Sequence, residues 1–258
     1  MRNLILVASL LLSFGIHANV VVVSDIDDTV KVAHVRDFKG LIRNAFKVNN
    51  RFLGMSDLLR SLQDDNEAEI IYLTNAPKKI MKWSHTTLLK NGNFPGDKVY
   101  FRDDLSNDEH KTNTLRKIIE DKRPTKMILF GDNGEKDIYF YETIKNEYPS
   151  IDFTIFIRTV YNLDKDHTPL PGQFPYVTPF EVANTLDKLG LINQESIDEL
   201  YRKHAINLLS ESRNVDEGPM YLPKWMKCRG FQISDYLDGH FSIDLSIRKK
   251  INKICKSK

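Results

Sequence analysis

Three aspartates stand within four positions directly after an apolar run near the start of the chain. Val20 to Val23 are four consecutive valines, and Asp25, Asp27 and Asp28 follow them. Carboxylates that are crowded together repel one another and have raised pKa values unless a cation neutralises them. The pattern therefore predicts a site that holds a metal ion and carries out chemistry beside it.

Polar residues also stand at the ends of other apolar runs and at the beginning of a helical pattern. Thr74 and Asn75 end the second apolar run, Lys111 opens a helical pattern, and Asp132 and Asp137 follow the fourth run. In an open parallel sheet the ligand site lies beyond the carboxyl ends of the strands, so we expect these groups to converge on one rim. Carboxylate and carbonyl oxygens around an open, hydrated position suit Mg²⁺. The sequence therefore predicts a magnesium site.

The elements that must position these residues are short apolar runs alternating with amphipathic stretches. Most of the runs are continuously apolar, which is typical of parallel strands buried on both faces. Strands that alternate with helices imply right-handed crossovers and a parallel sheet. The predicted fold class is α/β, a three-layer sandwich around a central parallel sheet. Predicted strands are Val20 to Val23, Glu69 to Leu73, Asp97 to Phe101, Lys126 to Phe130 and Phe153 to Ile157; predicted helices are Met55 to Gln63, Lys78 to Leu89, His110 to Asp121 and Ile138 to Asn146.

The pattern changes after Thr159. A segment rich in proline and glycine, HTPLPGQFPYVTP, reads as a loop that leads into a helical tail, whose clearest part is Gln194 to Ser210. We therefore expect a catalytic core over residues 19–160 and a loop with a helical C-terminal extension over residues 161–258.

The spacing between Asp27 and Thr74 limits what can cover the site. Once the predicted helix is subtracted, roughly 25 residues remain, which is enough for a short flap but too few for a large cap domain. A site without a large cap favours bulky ligands over small ones that need full enclosure. The flap could attract an anionic ligand or an anionic surface, or it could be a solvated polar loop. Its basic residues are Lys31, His34, Arg36, Lys39 and Arg43.

Four motifs, in this order along the chain, resemble those of the haloacid-dehalogenase-like phosphatases. Any one of them alone would be a weak signal, but four in the correct order and on the correct predicted elements are specific. The resemblance implies that family's Rossmann-like fold. The motifs are DxDxT at Asp25, Asp27 and Thr29, a threonine at Thr74, a lysine at Lys111, and GDxxxxD at Asp132 and Asp137.

This resemblance implies catalytic roles for particular residues. Asp25 would attack phosphorus to form an aspartyl-phosphate, which divides the hydrolysis into two steps. Asp27 would protonate the leaving oxygen and later deprotonate the attacking water. Thr74 and Lys111 would complete the catalytic set and, with Asn75, bind the phosphoryl oxygens, where negative charge must be compensated in the transition state.

The resemblance also implies how the metal is held. Mg²⁺ would be bound by the Asp25 carboxylate, the Asp27 backbone carbonyl and Asp132, with Asp137 nearby. It would offset the repulsion between the anionic nucleophile and the anionic phosphate. For Asp137 the alternative is a favourable interaction with the helix dipole in the first turn of the following helix. Three neighbouring residues, Asp28, Asn133 and Glu135, are interpreted as lying outside the catalytic set. Asp28 is expected to be a hydrogen-bonding loop residue. Thr29 is expected to fix the loop through its hydroxyl.

The surroundings of the motifs resemble more closely the catalytic domain of the actin-patch-type phosphatidate phosphatases, over roughly residues 20 to 160. The similar segments are SDIDDTVK, YLTNAP, FPGDKVYFRD, HKTNTLRKIIED and FGDNGEKDIYFY. That family shows a Ser-Pro pair where this chain has Asn75-Ala76-Pro77. The resemblance implies a phosphorylated substrate, with phosphatidate in a membrane surface as the specific expectation. The alternatives are a phosphotransferase, a phosphomonoesterase for a soluble or protein substrate, and a non-catalytic lipid-binding relative.

Charge and the N-terminal segment bear on partners and location. The 258 residues carry 37 basic and 35 acidic side chains without a long basic run, so nucleic acid is not an expected partner. Residues 1–18 combine one arginine, an apolar stretch from Leu4 to Phe14 and small residues up to Ala18, which predicts a signal peptide. An uncleaved anchor is the alternative, although the stretch is short for a membrane span. We expect a periplasmic or secreted mature protein without a transmembrane segment.

Cys228 and Cys255, in the last part of the chain, are its only cysteines. An oxidising compartment would permit them to pair and to pin the tail, while metal binding by two lone cysteines is a weaker alternative. Whether they pair depends on geometry, which the spacing alone leaves open.

Overall fold

A parallel sheet of six strands forms the centre of the molecule. The structure, a computed structural model, describes residues 19–103, 108–211, 218–223, 225–228 and 242–256, so the predicted signal peptide lies outside the described residues. The elements in chain order are β1 (Val20–Ser24), α1 (Phe38–Ala45), α2 (Met55–Asn66), β2 (Glu69–Pro77), α3 (Lys78–Asn91), β3 (Lys98–Arg102), α4 (His110–Lys122), β4 (Lys126–Asp132), α5 (Asp137–Glu147), β5 (Asp152–Arg158), β6 (Gln173–Tyr176), α6 (Pro179–Lys188), α7 (Gln194–Ser210) and α8 (Asp244–Lys256). The predicted α/β sandwich with a parallel central sheet is confirmed.

The strand order β3-β2-β1-β4-β5-β6 puts β1 in the middle of the sheet. The chain runs outward from β1 through β2 to β3, and then returns to place β4 on the other side of β1. The carboxyl end of β1 is therefore the point at which the strand order reverses. Open α/β sheets bind their ligands at this position.

Helices cover both faces of the sheet, which explains the unbroken valine run of β1. Val21 and Val23 belong to an apolar cluster with residues of α4 and α5. Val20 and Val22 belong to a second cluster with residues of α2, α6, α7 and α8. Because alternate side chains of a strand point to opposite faces, a strand buried on both faces requires an apolar residue at every position.

The segment after β5 is not simply the loop that its composition predicts. Gln173–Tyr176 forms β6, which pairs with β5 in parallel register. β6 is an edge strand, and an edge strand tolerates the missing N–H of Pro175. The expectation of a loop is therefore wrong over these four residues. The predicted division of the chain at residue 160 stays a prediction.

The C-terminal extension is helical, as expected, and is tied to the core. Ile247 and Ile251 of α8 are buried in the larger apolar cluster. Lys250 Nζ donates hydrogen bonds to the carbonyl oxygens of Leu209 (3.0 Å) and Glu211 (2.9 Å), at the end of α7. Cys228 and Cys255 form a disulfide. Among the described residues, every helix is too short or too polar to cross a bilayer.

Candidate active site

Asp25 lies at the carboxyl end of β1, beside a buried lysine. Its backbone N–H donates to the carbonyl oxygen of Phe130 (2.8 Å), which continues the pairing of β1 with β4. Lys111 Nζ, from the first turn of α4, lies 2.7 Å from Asp25 Oδ1 and 2.5 Å from Asp137 Oδ1. Burial alone would lower the pKa of Lys111, but Asp137 and Asp25 raise it well above its ordinary value. Lys111 therefore stays charged and connects α4 to the end of β1 and to the start of α5.

Asp25, Asp132 and Asp137 are buried and form a compact carboxylate cluster. One oxygen of each lies within 4.8 Å of the others. Gly134 N–H donates to Asp132 Oδ1 (2.5 Å), whereas Asp132 Oδ2 and Asp137 Oδ2 are buried without a hydrogen-bond partner. Burial, then repulsion from Asp137, raises the pKa of Asp132. Buried oxygens that lack a donor, in a set of hard ligands, fit a cation of the Mg²⁺ type.

The Asp27 carboxylate contacts a histidine that the motifs do not include. His85 Nε2, from the buried face of α3, lies 2.8 Å from Asp27 Oδ2. Lys31 Nζ lies 3.8 Å from Asp27 Oδ1, and Thr74 Oγ1 lies 3.5 Å from Asp27 Oδ2. Burial would raise the pKa of Asp27, but His85 and Lys31 lower it overall. His85 and Thr74 thus contact Oδ2, whereas Oδ1 is buried without a hydrogen-bond partner and has Lys31 at ion-pair distance.

Asp28 organises the loop, as expected. It adopts a left-handed backbone conformation with φ of 57°. Its oxygens accept hydrogen bonds from the backbone N–H groups of Ala33 (2.8 Å), His34 (3.0 Å) and Val35 (2.8 Å). Tyr161 Oη also donates to Asp28 Oδ2 (2.6 Å). These bonds offset the cost of the unusual backbone conformation, which is of order 1–3 kcal/mol.

Thr29 acts differently from the prediction. Its hydroxyl is buried and has no hydrogen-bond partner, so the expectation that the hydroxyl fixes the loop is wrong. Its carbonyl oxygen instead accepts a hydrogen bond from Arg158 Nε (3.0 Å). The Arg158 guanidinium is fully buried and lies over the Phe52 ring, 4.1 Å from its centre. The backbone of Thr29, rather than its hydroxyl, is therefore what anchors this turn.

Thr74 and Asn75 lie at the end of β2, where the ladder with β3 is irregular between Thr74 and Pro77. Such a shift re-aims side chains at a strand end. Thr74 Oγ1 accepts a hydrogen bond from the Ala76 N–H (3.0 Å), and Asn75 Nδ2 donates to Glu135 Oε2 (3.1 Å). Glu135, which the sequence interpretation left out of the catalytic set, also lies 4.0 Å from Lys111 Nζ.

An open cavity of about 620 Å³ adjoins the carboxylate cluster. Asn75 and Glu135 form its wall toward the site, and Glu135 is close to Lys111. A cavity of this size accommodates a ligand larger than a phosphate ion. Its remaining wall carries charges of both signs and two aromatic rings: Arg102 and Lys136 are basic, Asp108 and Asp166 are acidic, and Tyr139 and Phe140 supply the rings.

The structure brings the predicted residues to one rim, and it adds His85. The sequence contained one signal for His85: the polar pair Ser84-His85 interrupts the buried face of α3 between Met81 and Leu88. The flap differs from expectation in one respect. Lys31 is buried and donates to the Ala45 carbonyl oxygen (2.8 Å), so it is not available to meet an anionic surface.

A family model described as phosphatidate phosphatase APP1, catalytic domain, matches residues 20–159. This range is more than half of the chain and contains His85 and every site residue that the sequence predicts. The chain belongs to this family. The predicted resemblance to the actin-patch-type catalytic domain is thereby confirmed.

One curated relative is phosphatidate phosphatase APP1 of Saccharomyces cerevisiae, which is 29% identical over 160 residues. The alignment covers 56% of this chain but 26% of the yeast protein, so the chain spans about a quarter of that relative's length. Among solved structures, the crystal structure of UDP-GlcNAc 2-epimerase from Neisseria meningitidis bound to UDP-GlcNAc matches with a TM-score of 0.34 and 14% identity, over 90% of this chain and 52% of that one. A similarity this weak assigns neither a fold nor a role to this chain.

Proposed function

We propose that the chain is a magnesium-dependent phosphatase that hydrolyses a phosphomonoester through an aspartyl-phosphate on Asp25. Its family supports phosphatase activity. The observation that carries the mechanism is the environment of Asp25, a buried carboxylate 2.7 Å from a lysine and clustered with two further carboxylates. A nucleophile for an anionic phosphate needs this nearby positive charge.

The metal fits the residues that are present. Asp25, Asp132 and Asp137 would hold it, since their oxygens are clustered and two of those oxygens are buried without a donor. When bound, Mg²⁺ supplies charge neutralisation between the carboxylate and the phosphate. Lys111 supplies positive charge to the same carboxylates and holds Asp25 and Asp137 together.

The chain's own residues account for both chemical steps. An Asp25 oxygen attacks phosphorus, an Asp–O–P bond forms, and the bond from phosphorus to the leaving oxygen breaks as Asp27 donates its proton. Asp27, now ionised, accepts a proton from water, whose oxygen attacks phosphorus and releases phosphate from Asp25. An anionic phosphoryl group beside Asp27 raises the pKa of this carboxyl, which favours the protonated form needed in the first step. Thr74, Asn75 and Lys111 bind the phosphoryl oxygens.

Phosphatidate, hydrolysed to diacylglycerol, is the substrate that we propose. The family supports a lipid phosphate. The 620 Å³ cavity beside the site is open rather than enclosed, and its wall combines two basic side chains, Arg102 and Lys136, with three carboxylates and two aromatic rings. An open cavity suits a headgroup whose acyl chains remain outside the protein.

A substrate panel tests the proposal. We expect the full-length protein to release phosphate from phosphatidate in vesicles and from p-nitrophenyl phosphate when Mg²⁺ is present, and to lose both activities when a chelator removes the metal. Asp25→Asn should abolish both activities with an unchanged circular dichroism spectrum. Turnover in chelator, or turnover by a folded Asp25→Asn variant, would contradict the mechanism. Release from the soluble ester alone would refute phosphatidate as substrate.

We also propose that the protein is exported. The disulfide between Cys228 and Cys255 supports this location, because disulfides persist in oxidising compartments. N-terminal sequencing of the exported fraction should find a chain that begins at about Asn19. A cytosolic protein that still carries Met1 would contradict this proposal.

A further inference from the structure

Helix α1 points its large apolar side chains away from the protein. Its buried residues are Gly40 and Asn44, whereas Phe38, Ile42 and Phe46 are 76%, 57% and 58% exposed. Residues four positions apart lie on one face of a helix, so these three form one apolar stripe. A helix that packs on a core normally turns its apolar stripe inward. The stripe on α1 therefore needs an explanation other than core packing.

The packing of α1 fixes this orientation. A Cβ atom at Gly40 would lie 2.8 Å from His34 Cβ, so only glycine allows the helix to approach so closely on its inner face. The side chain of Asp37 accepts a hydrogen bond from the Lys39 N–H (3.2 Å) and caps the helix. At the other end, Ala45 O accepts from Lys31 Nζ. The helix is held at both ends with its apolar stripe outward.

Helix α3 also exposes large apolar side chains in its first half. Ile80 and Trp83 are 57% and 64% exposed, while Met81 and His85 are buried. Of the nine large apolar side chains with the greatest exposure in the described part of the chain, five lie on α1, its C-terminal cap and α3. We call these five residues the docking surface: Phe38, Ile42, Phe46, Ile80 and Trp83.

Both helices are linked to the same catalytic residue through one buried side chain each. Lys31 connects α1 to Asp27, because its Nζ is 2.8 Å from Ala45 O and 3.8 Å from Asp27 Oδ1. His85 connects α3 to the other oxygen of Asp27 at 2.8 Å. The end of α3 also contacts the segment that follows α1, through a hydrogen bond from Asn91 to Asn49 (3.2 Å). Both helices that carry the docking surface are therefore tied to the proposed active site.

The two segments that carry the docking surface are rich in basic residues. Residues 36–47 and 78–91 contain eight lysines and arginines and one acidic residue, Asp37, although the whole chain has a net charge of only +2. Lys78 forms an ion pair with Asp103 (3.2 Å). Apolar side chains flanked by lysine and arginine on a helix surface are the pattern of a helix that lies in the interface of an anionic membrane. The cations are Arg36, Lys39, Arg43, Lys47, Lys78, Lys79, Lys82 and Lys90.

We propose that α1 and the first half of α3 dock the protein on an anionic lipid bilayer. The five apolar side chains enter the boundary between headgroups and acyl chains, and the flanking cations meet the lipid phosphates. This inference rests on the proposed function, because docking brings the active site to the surface in which a lipid phosphate lies.

Vesicle co-sedimentation tests the docking surface apart from catalysis. The vesicles contain phosphatidylcholine with or without phosphatidylglycerol, neither of which is a phosphomonoester. We expect binding to the anionic vesicles, weakened at high salt because screening shortens the reach of the cations. Ile42→Ser combined with Trp83→Ser should lower the partition coefficient at least about tenfold, since two apolar side chains no longer enter the membrane. All proteins keep the full chain, so that the apolar N-terminal residues contribute equally.

The matched control is Ile206→Ser combined with Leu245→Ser, which changes two exposed apolar residues on α7 and α8. This control should bind vesicles like the wild type, and both double variants should hydrolyse p-nitrophenyl phosphate at the wild-type rate. Equal vesicle binding by the docking variant and the control would overturn the inference. Loss of self-association in ultracentrifugation without loss of vesicle binding would also overturn it and assign the surface to a second copy of the chain. Normal docking by a protein without phosphatase activity would support the inference and refute the proposed function instead.

Discussion

His85 should determine how well Asp27 protonates the leaving group. The contact between His85 Nε2 and Asp27 Oδ2 is 2.8 Å long, and His85 is fully buried. A hydrogen bond to a charged group contributes about 1.5–3 kcal/mol. The bond also lowers the pKa of Asp27, so its loss by itself makes the protonated form more abundant; what the reaction loses is the placement of the carboxyl beside the leaving oxygen. Lys31 and Thr74 still contact Asp27 at longer distances, so we expect this loss of placement to raise the barrier by about 1.5–2.7 kcal/mol, which slows proton donation by about tenfold to a hundredfold.

The experiment compares His85→Leu, which removes the donor, with His85→Gln, whose side-chain amide can donate from a similar position. The measured quantity is kcat/KM, which reports the phosphoryl transfer to Asp25 and the departure of the leaving group. An alkyl phosphate needs a proton on its leaving oxygen, whereas p-nitrophenolate leaves well without one. His85→Leu should therefore lose kcat/KM on the alkyl ester about tenfold to a hundredfold, and much less on the nitrophenyl ester.

His85→Gln should recover most of the loss on the alkyl ester. Equal losses of His85→Leu on both esters would refute the reasoning, because a general loss of structure or of phosphate binding does not depend on the leaving group. Failure of a well-folded His85→Gln to exceed His85→Leu would refute it as well. Thermal unfolding of both variants provides the check on folding.

Two further predictions concern stability. Lys111→Met leaves buried carboxylates without their cation, so it should lower the free energy of unfolding by about 3–5 kcal/mol in chelator, with partial recovery in Mg²⁺. Urea unfolding measures the free energy in chelator and in Mg²⁺, and Lys117→Met, which changes an exposed lysine on the same helix, is the control. An unchanged stability, or one insensitive to Mg²⁺, would contradict the role of Lys111 as counter-ion. Replacing Cys228 and Cys255 by serine opens a loop with a sequence separation of 27, which should cost about 3.5 kcal/mol of stability by chain entropy. It should leave kcat at 25 °C unchanged, because the proposed site residues lie directly after β1 and on β2, α3, α4, β4 and α5. Equal unfolding midpoints with and without the disulfide would contradict a stabilisation through restraint of the unfolded chain.

The sheet was predictable because its central strands are buried on both faces and therefore read as unbroken apolar runs. Val20 to Val23 need apolar neighbours above and below, and the same constraint marks the other central strands. The carboxyl ends then follow from topology, which places Asp25, Thr74 and Asp132 together without any knowledge of side-chain contacts.

Other features depend on contacts that no local pattern encodes. His85 stands 58 residues from Asp27, on a helix whose periodicity shows only that the position is buried. β6 is four residues long and contains a proline, so its pairing with β5 outweighs its loop-like composition. α1 escapes a search for core helices because its apolar residues face outward. Each of these requires the tertiary structure.

Trapping the phosphorylated enzyme tests the central claim most directly. The protein is quenched during turnover of p-nitrophenyl phosphate with Mg²⁺, treated with borohydride to reduce an acyl phosphate to the alcohol, and digested for mass spectrometry. We predict homoserine at position 25, and a larger trapped fraction in Asp27→Asn, which slows the attack of water. An unmodified Asp25 under steady turnover, or modification of another carboxylate instead, would contradict the account.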